Sequence, residues 1–190
     1  MLQISFFYIE HPEIESEKAQ LLDLYHQIEE QEGQKRLEND FGNWWEGNFV
    51  DRFQIGKPGS INCRGSIEYM DELEPDYFQI YQEDAWGPNV ELWEKILQTH
   101  YSAVSLVYEA EEPGFGLYVN TDITGRFLSD RYLVEFDYEV SDETYNYCET
   151  EEEALETVND ILKTAYQTLS EAEEKERGKN RVYIHKFEDH

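Results

Sequence analysis

The alternation of apolar and polar positions lays out most of the chain. Residues 2–9, Leu-Gln-Ile-Ser-Phe-Phe-Tyr-Ile, are apolar and aromatic enough for a buried strand, which His11-Pro12 ends. Between Ser16 and Glu32 the residues Leu21, Leu24, Tyr25 and Ile28 share one helical face, and Gly33 closes the helix. Residues 34–48 read as a loop or linker that carries the pair Trp44-Trp45. Strands are expected over 48–55, 63–69 and 77–83, separated by Gly56-Lys57-Pro58-Gly59 and by an acidic run over 71–76. Pro88 opens a short helix over 89–100, where Val90, Trp93, Ile96 and Leu97 recur at helical spacing.

Two strands over 103–111 and 115–121 flank the turn Glu112-Pro113-Gly114. A further strand, 132–140, alternates strictly, with Glu135, Asp137 and Glu139 on one side and Val134, Phe136, Tyr138 and Val140 on the other. The C-terminal pattern predicts one long helix over about 151–177. Thr150 and Glu153 form a capping box, and Leu155, Val158, Leu162, Ala165, Leu169 and Ala172 step by three and four. Gly178 stops it, and residues 181–187 return as a last strand. Sequential strands with separated helices predict an α+β fold, a mostly antiparallel sheet with helices packed mainly on one face, in a single domain over 1–190.

Charge changes the picture most. With 15 Lys+Arg against 43 Asp+Glu the formal net charge is −28, which excludes nucleic acid as a direct partner because such binding needs a basic footprint. The excess is spread evenly, so no part of the chain is a detachable acidic tail. The content of Leu, Ile, Val and Phe, 46 of 190 residues, is enough for a core, unlike that of a disordered acidic segment. The opening residues have no basic n-region and no stretch is long enough to span a bilayer, so the expectation is a cytoplasmic protein with no membrane partner. Cys63 and Cys148 lie far apart outside any Cys-x-x-Cys spacing and read as reduced structural thiols.

Enzyme and metal motifs are not found. The run Asp71-Glu72-Leu73-Glu74-Pro75-Asp76 departs from a calcium loop and is interrupted by proline, and the five histidines show no metal-ligand spacing. No catalytic residue, metal or cofactor is expected. A carboxylate pair is defined by geometry rather than spacing and stays open, as does a carboxylate-based enzyme.

Two surfaces are candidates for partner binding. Trp44 and Trp45, with Phe41 and Phe49, form the densest aromatic site, read either as a loop pinned to the core or as a protein-binding hot spot. The other candidate is the carboxylates. Glu135, Asp137 and Glu139 would repeat roughly every 6.6 Å along a strand, and Glu152, Glu156 and Asp160 roughly every 6 Å along a helix. Adjacent phosphates of one DNA strand lie at a similar distance, roughly 7 Å.

Residues 84–116 carry a resemblance. Ala85, Trp86 and Pro88 before a helix, Tyr108 in the next strand, and the turn Glu111-Glu112-Pro113-Gly114 are similar to the signature of the YubB ferredoxin-like family of plasmid and phage proteins. Asn89 departs from it, standing where a second proline is expected. The resemblance implies a ferredoxin-like core with additions and a mobile-element setting. Together with the charge it leads to the expectation of a non-enzymatic nucleic-acid mimic that inhibits a basic nucleic-acid-binding protein, such as a CRISPR or restriction nuclease. The alternatives are an accessory module that binds a protein through the Trp44/Trp45 loop, or the carboxylate-based enzyme.

Overall fold

In a computed structural model, which describes residues 1–34, 41–57, 59–179 and 181–189, the apolar run that opens the chain forms strand β1 (Leu2–Tyr8). Parts of the linker over 34–48 and of the turn at Pro58 lie outside the described residues, as does His190. The chain divides into two units, Met1–Leu117 and Tyr118–His190, where the sequence reads as a single domain.

In the first unit β1 is followed by α1 (Glu15–Gln31), α2 (Glu46–Arg52), β2 (Gly65–Met70), β3 (Tyr77–Asp84), α3 (Val90–His100) and β4 (Ser105–Glu112). The strands run in the order β2-β3-β1-β4, all antiparallel. This is the ferredoxin-like βαββαβ arrangement with α2 added to its first crossover. Leu21, Leu24 and Ile28 of α1 and Leu92, Trp93 and Ile96 of α3 are buried in one core with Phe7, Phe78 and Ile80 of the sheet. Phe7 lies at its centre, stacked on Phe78 at 4.9 Å and edge-on to Trp93 at 5.1 Å. Burying each of these side chains contributes about 1.5–3 kcal/mol.

Helix α2 corrects the strand expected over 48–55. A strand would send Val50 to the side opposite Phe49 and Phe53, whereas a helix puts all three on one face, and all three are buried in the core. Asn48 fixes the entry to this helix, its side chain donating to the carbonyls of Gly42 and Asn43.

Strand β5 (Leu117–Asn120) crosses the boundary, and the second unit continues with β6 (Tyr132–Phe136), β7 (Tyr145–Cys148), α4 (Glu151–Leu162), α5 (Leu169–Glu176) and β8 (Val182–Lys186). Its sheet has the antiparallel order β7-β6-β8. Val134, Phe136 and Cys148 of that sheet form a core with Ala154 and Val158 of α4 and Leu169 and Ala172 of α5.

The single helix expected over 151–177 is two helices. Lys163 ends α4 in the left-handed region, at φ 54°. Asn159 then holds the turn: its side chain accepts from the Thr164 hydroxyl and the Tyr166 amide and donates to the Tyr166 carbonyl. Thr168 and Glu171 start α5 with a second capping box, in which Glu171 N–H donates to Thr168 Oγ1 and Gln167 N–H to Glu171 Oε2. The strand expected over 132–140 stops at Phe136, because Asp137 turns the chain by accepting the Glu139 amide on its own side chain.

Candidate functional site

The carboxylates singled out in the sequence fall into two groups. Glu152, Glu156 and Asp160 lie on α4, one turn apart, and all three are exposed. Thr150 starts this helix as expected, accepting the Glu153 amide, while the Glu153 carboxylate accepts the Glu149 amide. Residues 149–160 hold six acidic residues and no basic one. None of Glu152, Glu156 and Asp160 pairs with a cation among the described residues.

The second group is not a row. Glu135 is in β6, half-buried, with His185 Nε2 at 3.6 Å, while Asp137 and Glu139 lie in the turn beyond the strand. The repeat of roughly 6.6 Å needs a continuous strand, and this one ends between Glu135 and Asp137. The structure therefore corrects the regular strand spacing expected of these three residues.

The two tryptophans have different roles. Trp44 packs against the core and donates its indole N–H to the Ile28 carbonyl, pinning the segment before α2 to α1. Trp45 pairs with Ser66 at the edge of β2 and turns its ring outward over Gly47, where a Cβ would collide with the indole. That ring lies 5.2 Å from Phe41 and forms one wall of a groove of about 490 Å³. Trp86 forms another wall and is 69% exposed, with the Arg64 guanidinium 4.6 Å over its ring.

Close by in the same unit is a polar cluster that the sequence reading missed. Glu46, the first residue of α2, is fully buried. Its carboxyl accepts from the Gly65 amide at 2.8 Å, from Asn89 Nδ2 at 2.6 Å and from Gln82 Nε2 at 3.2 Å. Gln82 in turn accepts from Trp93 Nε1 at 2.9 Å. The Asp84 carboxyl, at the end of β3, meets Glu46 at Asn89, whose side chain donates to Glu46 and whose backbone N–H donates to Asp84 Oδ2 at 3.4 Å. Burial, with Asp84 beside it, pushes Glu46 up to about 8, and burial raises Asp84 as well. The cluster joins α2, β2, β3 and the start of α3. Neither carboxyl lines the groove, since Gly65 and Ala85 present the surface there.

Among the described residues no group of three or more His, Cys, Asp or Glu side chains is placed to hold a metal ion. Cys63 and Cys148 are free thiols, and burial pushes Cys63 up to about 12. No described helix is long and apolar enough to cross a membrane. Comparison with protein-family models, with curated proteins and with solved structures finds no match for this chain.

Proposed function

We propose that the protein is a non-enzymatic acidic interaction protein that occupies the cationic nucleic-acid channel of a basic partner. In this reading it is a nucleic-acid mimic from a phage or plasmid, and the partner is a defence nuclease of the CRISPR or restriction type. The observation that carries the reading is the row Glu152, Glu156 and Asp160, exposed at one-turn intervals on α4 and in no ion pair among the described residues. The helical rise of roughly 6 Å per four residues is close to the phosphate spacing of roughly 7 Å that such a channel accepts. The net charge of −28 is well beyond the magnitude of roughly 2–8 that keeps a small domain soluble, and it favours fast, steered association with a basic surface. The enclosure of Glu46 and Asp84 supports a binder over a carboxylate enzyme, because a substrate has no approach to them from the groove.

The test is cleavage of a labelled duplex by a panel of purified restriction and CRISPR nucleases, with and without the protein. Inhibition that excess duplex relieves, and that the variant Glu152→Lys/Glu156→Lys/Asp160→Lys loses, supports the reading. Inhibition of no member of the panel, or equal inhibition by the variant, rejects it.

A further inference from the structure

The groove between Trp45 and Trp86 has the chemistry of a cation site. Three aromatic residues line it, Phe41, Trp45 and Trp86, and two of them are largely exposed to solvent, Phe41 at 68% and Trp86 at 69%. Glu68 and Glu83 line the same groove and are exposed. An aromatic face beside carboxylates attracts a guanidinium or ammonium through the ring quadrupole and the charge together. The chain supplies an example of this contact itself, because the Arg64 guanidinium lies over the Trp86 ring.

The backbone adds an independent observation. Trp86 has φ 72°, in the left-handed region where a bulky residue is an outlier and glycine is the unstrained choice. Its ring is mostly in solvent, so burial does not compensate for the strain. Strain held at an exposed aromatic residue marks a place where the side chain serves something other than folding. Gly47 makes the same point from the opposite wall, since only a residue without Cβ lets the Trp45 ring lie where it does.

We infer that this groove binds an arginine or lysine side chain of a partner protein segment, stacked on Trp86 and Trp45 and paired with Glu68 and Glu83, with Arg64 as the intramolecular occupant that the partner displaces. The site is separate from α4 and stands or falls without the nuclease reading. Charge complementarity selects the occupant, because Glu68 and Glu83 outnumber Arg64 along the groove.

The experiment follows the indole N–H resonances of Trp45 and Trp86 in the full chain during titration with two capped pentapeptides. Both have the sequence Gly-Ser-X-Ser-Gly, with X either arginine or citrulline, its neutral isostere. The arginine peptide is expected to bind at least tenfold more tightly than the citrulline peptide. Trp86→Gly and Glu68→Gln/Glu83→Gln are each expected to weaken it tenfold or more without lowering the urea midpoint, and Arg64→Ala to tighten it several-fold. The α4 lysine variant should bind this peptide as the wild type does, which separates the groove from general attraction to an acidic chain. Equal binding of the two peptides, unchanged affinity in the groove variants, or no resonance shift at millimolar peptide overturns the inference.

Discussion

The carboxyl groups of Glu46 and Asp84 are held side by side in the interior of the N-terminal unit by Asn89, which donates to both, and burial favours the protonated form of each. Both groups have folded pKa values above their unfolded ones, Glu46 at about 8. Groups raised in this way contribute stability that is fully present below the unfolded carboxylate range and is lost as pH climbs toward the folded value. Urea unfolding should therefore show stability falling between about pH 4.5 and pH 8 by an amount on the order of a few kcal/mol. Glu46→Gln, which removes the titrating carboxyl, should flatten that fall and match or exceed the wild type by pH 9. An unchanged slope in the variant would assign the pH dependence to groups elsewhere.

Gly65 is the residue that lets this pair exist. A Cβ there would collide with Asp84 Oδ1 and lie 2.7 Å from the Glu83 carbonyl oxygen. Gly65→Ala should destabilise the protein by about 1–3 kcal/mol, the usual cost of overpacking a close contact. Because the clash is partly with Asp84, adding Asp84→Ala to the Gly65→Ala variant should cost less than Asp84→Ala alone. Strict additivity in the double-mutant cycle would place the strain on the backbone contact.

How much of this was legible in the sequence depends on what decides each feature. Strands β1, β3 and β4 and helices α1 and α3 follow from local periodicity, and their boundaries fall within a few residues of those expected. The helix at 46–52 reads as a strand because Phe49, Val50, Phe53 and Ile55 suit a strand in composition, although 49, 50 and 53 share a face only in a helix. The break after Leu162 had a local signal in Thr168 and Glu171, a second capping box masked by an apolar stripe that continued through it. The end of β6 turned on one side-chain hydrogen bond of Asp137. The Glu46–Asp84 pair had no such signal, because only the tertiary fold brings α2 beside the end of β3.

Lys163 is the terminus of α4 in the left-handed region, a position glycine occupies without strain. Lys163→Gly should raise stability by about 0.5–1 kcal/mol, while Lys163→Ala, which keeps a Cβ, should give no gain. Thermal unfolding of the two variants beside the wild type checks this.

Glu176 shows the opposite electrostatics to Glu46. Burial alone would raise its pKa, but the Tyr166 hydroxyl, Arg181 and Lys179 all donate to the carboxylate and hold it at about 2. A depressed carboxylate contributes stability present above its unfolded value and lost as pH falls through the folded one. Glu176→Gln should cost about 1–3 kcal/mol at pH 7, and the gap to the wild type should close between about pH 4.5 and pH 2. A gap that persists at pH 2 would mean that packing, not charge, is what the substitution removes.

The acidic row on α4 can be separated from the needs of the fold by the same kind of measurement. Asp160 lies in the last turn of α4, where a negative charge opposes the helix dipole and the turn itself holds no basic residue. Glu156 adds to the repulsion, with Glu152 and Asp160 each one turn away on the same face. Glu156→Lys/Asp160→Lys should therefore unfold at higher urea than the wild type in about 10 mM salt, by about 0.5–1 kcal/mol. The gain should vanish in roughly 1 M salt, where the screening length is about 3 Å. If that more stable variant also fails to inhibit a nuclease that the wild type inhibits, the carboxylates are held for binding at the expense of stability. A loss of stability at low salt would show instead that the row supports the helix, and the proposed contact surface would have to lie elsewhere.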